Sequence, residues 1–118
     1  MSNSPGATKM AVKILSHSDF ADQVLKSSKP VVVEFYRYKA DGSENASKRA
    51  SVYVDEWAAS EGRATFFRIS LTEAIQLAKT YDVQSAPTLV YFSGGEKKNE
   101  LVGYYNDERP KSMLAKLL

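Results

Sequence analysis

The feature that most constrains this chain is residues 31–38, where β-branched and aromatic side chains are interrupted by Glu34 and Arg37. Such a run predicts a strand that is buried in a sheet. The polar segment 39–48 follows it and predicts a loop that opens a helix. Ligands and reacting groups collect beyond the carboxyl ends of strands in open α/β sheets, so function is expected at this junction.

Strand and helix patterns alternate along the rest of the chain. Strands are expected at 10–15, 64–70, 89–92 and 101–105, and helices at 16–28, 51–59, 72–82 and 107–118. The helix at 51–59 is expected to pack Val52 on the sheet, and the expected N-caps are Ser16, Thr72 and Asp107. Gly94-Gly95 predicts a hairpin turn, so the last two strands should be antiparallel. This order predicts an α/β domain with a mixed sheet and helices on both faces.

The chain contains no cysteine and one histidine, His17. Disulfides, thiolate nucleophiles and thiolate metal sites are therefore excluded. A single imidazole cannot build an ordinary transition-metal site without several carboxylates around it, and His17 is interpreted as a surface residue. We expect no metal site and no cofactor.

Length and charge limit the classes of protein further. The 118 residues fit one domain, expected at 10–118, and the small polar residues 1–9 predict a disordered tail. The 16 basic and 14 acidic residues are spread along the chain, which argues against nucleic-acid binding because phosphate contacts need clustered cations. No stretch approaches the roughly 20 apolar residues of a membrane span. We expect a cytoplasmic protein that does not associate with membranes.

Four short segments carry a resemblance to a known family. They are Lys29-Pro-Val-Val-Val-Glu-Phe-Tyr36, Phe66-Phe-Arg-Ile69, Ala78-Lys-Thr-Tyr-Asp-Val-Gln-Ser-Ala-Pro-Thr-Leu-Val-Tyr-Phe92, and Gly94-Gly-Glu before Leu101-Val-Gly103. With the order of elements, they resemble the thioredoxin family from about Val12 to Leu118. The resemblance implies a thioredoxin-like α/β fold, with a central mixed sheet of about five strands flanked by about four helices. It also implies a cis peptide bond between Ala86 and Pro87.

The reaction of that family is thiol–disulfide exchange by a Cys-Gly-Pro-Cys segment at the opening of the second helix, and this segment is absent here. Counted forward from residues 31–35, the two cysteine positions fall on Ala40 and Ser43. Counted backward from Trp57, they fall on Glu44 and Ser47. The loop 38–48 therefore differs from the family in length as well as in sequence, and no thiol–disulfide oxidoreductase activity is expected.

A serine does not replace the missing thiolate in this loop. A serine hydroxyl is almost entirely un-ionised at neutral pH unless a base is positioned beside it. The nearby carboxylates of Asp41 and Glu44 are weak bases, because their ordinary pKa values are about 4. Serine and aspartate are common N-caps, so Ser43 and Asp41 are interpreted as structural.

Glu34 lies within the apolar strand, where it matches the buried acid of thioredoxins. Arg68 matches the lysine that accompanies that acid in the family. A buried carboxylate without a partner is costly, so we predict a buried ion pair between Glu34 and Arg68. In the family the acid helps to move protons to the cysteines, but without cysteine a structural pair is the favoured interpretation.

The resemblance implies a surface beside the cis-proline that binds extended peptides of client proteins and needs no cysteine. The residues expected to build it are Tyr38, Lys39, Ala40, Asp41, Gly42, Ser43, Ser85, Ala86, Pro87, Gly103 and Tyr104. The several tyrosines nearby favour protein contact, although alternating tyrosines also simply cover a sheet.

These observations lead to one main hypothesis and two alternatives. The main one is a redox-inactive, chaperone-like module that binds an unidentified protein or peptide. The alternatives are an enzyme with non-redox chemistry in the loop 38–48, and a thiol–disulfide oxidoreductase whose cysteines have been replaced. The sequence leaves the oligomeric state open, a homodimer included.

Overall fold

The computed structural model describes residues 11–118, and the tail expected at 1–9 lies outside them. One sheet contains the strands Val12–Ile14 (β1), Val31–Tyr36 (β2), Thr65–Ser70 (β3), Thr88–Ser93 (β4) and Glu96–Val102 (β5). The irregular helix α1 is a 3₁₀ turn, His17–Asp19, followed by a π-helical turn, Ala21–Leu25. The other helices are Ala46–Ser60 (α2), Ile75–Thr80 (α3) and Arg109–Ala115 (α4).

The strands are arranged in the order β1-β3-β2-β4-β5, with β2 at the centre. β1, β3 and β2 are parallel, whereas β4 is antiparallel to both β2 and β5. The predicted mixed sheet of five strands with four helices is thereby confirmed. Phe35 near the end of β2 pairs with Thr88 at the start of β4, so the loop after β2 and the Ala86–Pro87 segment lie at the same edge of the sheet.

The side chains of β2 alternate between two cores. Val33 and Phe35 face a cluster shared with α1 and α3, whereas Val32 faces a cluster shared with α2 and α4. Glu34 is fully buried at 0% exposure, and by the alternation of a strand it points to the α2 side. Glu34 therefore lies on the same face of the sheet as an apolar cluster, beside the buried Arg68 of β3.

The hairpin begins earlier than the sequence predicted. Gly94 and Gly95 have φ values of +63° and +83°, as a two-residue turn requires, so Glu96 pairs with Ser93 directly after the turn. β5 consequently covers Glu96–Val102, and Tyr104, which was expected within a strand at 101–105, lies beyond its end.

Several expected details of the helices differ in the structure. Ser16 is the N-cap of the first turn of α1, as expected, but its hydroxyl donates to the Asp19 carboxylate (2.9 Å) and makes no capping hydrogen bond. Thr72 is not the N-cap of α3, which begins at Ile75. α2 starts at Ala46, well before the expected residue 51. Val52 is 58% exposed because the buried positions of α2 lie on one face of the helix, and residue 52 falls outside that face. Asp107 accepts a hydrogen bond from the N–H of Arg109 (3.0 Å), although the structural N-cap of α4 is Glu108.

Substitution of the two turn glycines by alanine should have unequal effects. Both alanines would adopt a left-handed conformation, which costs about 1–2 kcal/mol. A Cβ at Gly95 would also lie 2.9 Å from the backbone carbonyl oxygen of Leu25, whereas a Cβ at Gly94 meets no atom within 4 Å. In urea unfolding, Gly95→Ala should lower the free energy of unfolding by about 1–3 kcal/mol more than Gly94→Ala, the matched control. Equal losses would show that the contact with Leu25 relaxes freely.

Candidate functional site

Side-chain hydrogen bonds close the junction between β2 and α2. The Asn45 Oδ1 atom accepts a hydrogen bond from the N–H of Lys48 (2.9 Å), and its Nδ2 donates to the carbonyl of Arg37 (2.9 Å). The N–H of Arg37 donates to the Ser47 hydroxyl (3.1 Å). Asn45 therefore caps α2 and at the same time fixes the end of β2 to the start of the helix.

The loop before this cap is an exposed turn. The Asp41 carboxylate accepts hydrogen bonds from the hydroxyl (2.7 Å) and the N–H (2.9 Å) of Ser43, and these bonds hold the pKa of Asp41 below its ordinary value. A carboxylate with a lowered pKa is a weaker base, so Ser43 is not activated as a nucleophile. The structural interpretation of both residues is favoured.

The position at which α2 starts helps to decide between the two alignments of the missing cysteine positions. Ala40 and Ser43 lie in the exposed loop ahead of the cap. Glu44 lies directly before the cap, and Ser47 lies in the first helical turn with 2% exposure. Because the family carries its cysteines at the opening of this helix, the geometry favours Glu44 and Ser47 over Ala40 and Ser43.

Glu34 and Arg68 are direct partners in the register of β2 and β3, and they form a buried ion pair. The Nε and Nη2 atoms of Arg68 each lie 2.8 Å from the Oε1 atom of Glu34. Nη2 also lies within hydrogen-bonding distance of the Asp55 carboxylate (3.0 Å) and the Ser51 carbonyl oxygen (3.2 Å). One guanidinium thus serves two carboxylates, as the forked donor geometry of arginine allows.

Two hydroxyl groups connect this ion pair to the surface. The Ser51 hydroxyl donates to the Oε2 atom of Glu34, and the Tyr38 hydroxyl lies 2.7 Å from the Ser51 Oγ atom. When Glu34 is ionised, the Ser51 hydrogen is used by Glu34, so Tyr38 is the donor in the second bond. Tyr38 is 37% exposed, so a continuous chain of hydrogen bonds joins a buried acid to the outside.

Burial raises the pKa of Glu34 above its ordinary value of 4.5, and the favourable contacts with Arg68 and Ser51 offset this effect only in part. The folded protein therefore holds this proton to a higher pH than the unfolded chain does. By linkage, the contribution of Glu34 to stability falls as the pH rises from 4.5 through the raised pKa.

A cavity of about 550 Å³ lies over this network and is called the α2 cavity here. It is lined by Tyr38, Glu44, Lys48, Arg49, Ser51, Val52, Asp55 and Tyr104. Of these, the sequence predicted Tyr38 and Tyr104 as binding residues and missed those of α2. The available signal was the four-residue spacing of Ser47, Ser51 and Asp55, which places polar groups on one face of the helix.

The peptide bond between Ala86 and Pro87 is cis. Pro87 is buried, and its carbonyl accepts a hydrogen bond from the N–H of Gly103 (2.8 Å). The backbone carbonyl of Ser85 accepts a hydrogen bond from the Thr88 hydroxyl (2.8 Å). Within residues 11–118, neither the N–H nor the carbonyl of Ala86 has a hydrogen-bond partner. This segment is called the Ala86 edge.

The predicted binding residues thus separate into four places. Tyr38 and Tyr104 line the α2 cavity, whereas Ala86, Pro87 and Gly103 form the Ala86 edge. Ser85 lines a smaller cavity of about 250 Å³ beside Val102, and the exposed loop contains Lys39, Ala40, Asp41, Gly42 and Ser43.

The described residues offer no further candidate for a metal site or a membrane span. His17 is exposed in the first turn of α1. Residues 11–118 contain no group of three or more His, Cys, Asp or Glu side chains placed to hold a metal ion. None of the helices in this part of the chain has the length and apolar character needed to cross a membrane.

The fold and the Ala86 edge define a thioredoxin-like protein, and comparisons with known proteins agree. The thioredoxin family model matches residues 11–118. Thioredoxin 1 of Nostoc is 31% identical over 105 residues, which cover 88% of this chain and 91% of that protein. Thioredoxin M4 of Arabidopsis thaliana, a chloroplastic protein, is 31% identical over 97 residues, which cover 82% of this chain and 49% of that protein.

The crystal structure of Malassezia sympodialis thioredoxin superimposes with a TM-score of 0.77 and 20% identity, covering 92% of this chain and 91% of that one. The chain spans about half the length of the chloroplastic relative, 49%, and nearly the whole of the Nostoc relative, 91%. This protein belongs to the thioredoxin family, and it has no cysteine.

Removal of the buried cation should be strongly destabilising. Arg68→Met leaves Glu34 without its partner, and we expect the free energy of unfolding at neutral pH to fall by about 3–5 kcal/mol. Arg63→Met is the matched control, because Arg63 forms a comparable pair with Glu61 (2.9 Å) but is 67% exposed. Glu61 is only 11% exposed, but the Arg63 guanidinium stays in water, so this pair should contribute less than about 1 kcal/mol.

The double variant Glu34→Leu/Arg68→Met should recover most of the stability, since the loss arises mainly from the unpaired charge. Urea unfolding measures all three variants. A loss in Arg68→Met no larger than that in Arg63→Met would contradict the role given to the pair.

Proposed function

We propose that this chain is a redox-inactive thioredoxin that binds extended segments of partner proteins at the Ala86 edge. The observation that carries the proposal is the backbone of Ala86, whose N–H and carbonyl have no hydrogen-bond partner within residues 11–118. An extended peptide can satisfy both groups by strand addition, and this needs no cysteine.

The surroundings of Ala86 support this mode of binding. The hydrogen bond from the N–H of Gly103 to the carbonyl of Pro87 extends the pairing of β4 and β5 by one step, so the Ala86 edge continues an ordered sheet. Tyr36 and Tyr38 pack against each other at the end of β2, with ring centroids 4.5 Å apart and ring planes inclined by 36°. Tyrosine side chains provide contact area at low cost in conformational entropy.

A non-redox enzyme is the second candidate, and the raised pKa of Glu34 below the α2 cavity favours it. Binding is preferred because both carboxylate oxygens of Glu34 are engaged, Oε1 by Arg68 and Oε2 by Ser51. The acid is separated from the cavity by the Ser51 and Tyr38 hydroxyl groups and does not itself line it.

The proposed binding can be tested from the peptide side, which avoids any change to the fold. A binder is selected from a random-peptide display library, and each of its backbone amides is then N-methylated in turn. Strand addition predicts that methylation at the position opposite Ala86 weakens binding by about tenfold or more, since a hydrogen bond is lost. Amide exchange of Ala86, followed by NMR, should slow on binding of the unmodified peptide only.

Side-chain variants of the same peptide that keep its backbone unchanged are the control. A peptide whose affinity is unaffected by N-methylation at every position, or whose binding leaves the Ala86 amide exchange unchanged, would contradict strand addition.

Insulin reduction tests redox inactivity and the two counts of the cysteine positions together. The unaltered chain should show no activity above background, because a hydroxyl cannot replace a thiolate. The variant Glu44→Cys/Ser47→Cys should gain activity, since it places the first thiol beside the N-terminus of α2. The matched variant Ala40→Cys/Ser43→Cys should remain at background. Activity in the unaltered chain, or greater activity in the second variant, would contradict this assignment.

A further inference from the structure

The α2 cavity combines apolar walls with cations at its mouth. Tyr38, Val52 and Tyr104 provide apolar surface, and Val52 is 58% exposed among the described residues 11–118. At the mouth, the Lys48 ammonium bonds to the neutral carbonyl of Gly42 (2.9 Å). A carbonyl is uncharged, so this contact does not neutralise the cation as a carboxylate would.

The second cation of the mouth is also weakly held. The Arg49 guanidinium lies 3.5 Å from the Glu44 carboxylate, and the two side chains are 44% and 68% exposed. Exposed pairs of this kind contribute little and exchange readily. The Asp55 carboxylate, 49% exposed, is bound by Arg68 at 3.0 Å. Within residues 11–118, Lys48 is therefore the cation of the mouth that has no carboxylate partner, and it is the one most available to an anionic ligand.

The direction of the hydrogen-bond chain below the cavity depends on Glu34. With Glu34 ionised, Tyr38 donates to Ser51 and presents only acceptor lone pairs to the cavity. With Glu34 protonated, its acidic hydrogen donates to Ser51, Ser51 donates to Tyr38, and the Tyr38 hydrogen is released toward the cavity. Protonation of a buried acid thus converts Tyr38 from an acceptor into a donor.

The charge balance of the site also favours a proton on Glu34 when an anion binds. The cavity and the network below it contain three carboxylates, from Glu34, Glu44 and Asp55, and three cations, from Lys48, Arg49 and Arg68. An anionic ligand would leave an excess of negative charge, and one proton on Glu34 would restore neutrality. Both the donor at Tyr38 and the charge balance favour a proton on Glu34 when an anion is present.

We infer that the α2 cavity binds a carboxylate carried on an apolar group, and that Glu34 takes up one proton from solvent as the carboxylate enters. The apolar group packs on Val52 and Tyr104, and the carboxylate accepts hydrogen bonds from Tyr38 and the cations of the mouth. This inference goes beyond the proposed function, because it requires no strand addition at the Ala86 edge.

The groups around Glu34 make it the residue that titrates. Arg68 faces it from β3, and Ser51 and Asp55 face it from α2. Its register partner on β4 is the apolar Leu89. The next side chain on that face, Tyr91, donates its hydroxyl to the carbonyl of Pro110 (2.8 Å) and is engaged elsewhere.

The experiment uses 3-phenylpropanoate as the probe and 3-phenylpropanamide as its neutral match, by isothermal titration calorimetry on the full chain. The acid should bind about tenfold or more tightly than the amide. Titrations in buffers of different ionisation enthalpy should show uptake of about one proton above the pKa of Glu34. The Kd of the acid should rise by about tenfold per pH unit in that range.

Two variants test the inference independently, so that one result remains if the other variant folds poorly. Tyr38→Phe retains the aromatic wall, removes the donor and should weaken binding of the acid by about tenfold. Glu34→Gln copies the neutral acid and should make the Kd independent of pH. Ile75→Thr, an exposed position on α3 across the sheet, is the control and should change neither quantity.

A second pair of probes identifies the source of the carboxylate. The affinity of acetyl-Ala-Phe with a free C-terminus is compared with that of the same peptide carrying a C-terminal amide. A free peptide that binds more tightly than 3-phenylpropanoate indicates a peptide C-terminus, and the reverse order indicates a small organic acid. Equal binding of the acid and amide probes, no binding, or a Kd of the acid that is flat with pH would overturn the inference. None of these results depends on the N-methyl scan, so the two hypotheses fail separately.

Discussion

The buried charge of Glu34 is the constraint on which the α2 side of the structure depends. Transfer of a carboxylate into a protein interior costs several kcal/mol, and the cost is offset only where its oxygens are fully engaged. Arg68 meets this need because the register of β2 and β3 places it directly opposite. A slip of one residue would turn Arg68 to the other face, so the ion pair and the strand register require each other.

The same requirement positions α2. Arg68 reaches the Ser51 carbonyl and the Asp55 carboxylate, and Ser51 occupies the second oxygen of Glu34. Apolar packing, such as the contact of Trp57 with Phe66 at 4.8 Å between ring centroids, fixes the distance of the helix from the sheet. Directional polar contacts also fix its rotation, because they hold only when one helix face is turned to β2. The α2 cavity is a consequence, since that rotation places Val52 outward.

The sequence predicted the parts of the fold that rest on periodicity and failed where several local signals compete. The apolar run around Val33 is too long and too β-branched to be anything but a buried strand. In the loop, Asp41, Ser43 and Asn45 are all good N-caps, and their capping energies differ by tenths of a kcal/mol. Asn45 prevails because it also bonds to Arg37, a contact set by tertiary structure. The polar face of α2 was missed for a related reason. Ser51 is recognised as part of the network only when the fold places its hydroxyl beside Glu34.

The absence of cysteine removes the thiols on which the family's exchange reaction depends, without removing the structure that surrounds their place. The acid remains buried, and its outlet to solvent passes through Ser51 and Tyr38 into the α2 cavity. Tyr104, which lines that cavity, directly follows Gly103, whose N–H holds Pro87 beside the Ala86 edge. The cavity and the edge are thus neighbours in space. One extended molecule with a terminal carboxylate could occupy both, and its binding would then be sensitive both to its backbone amides and to the proton on Glu34.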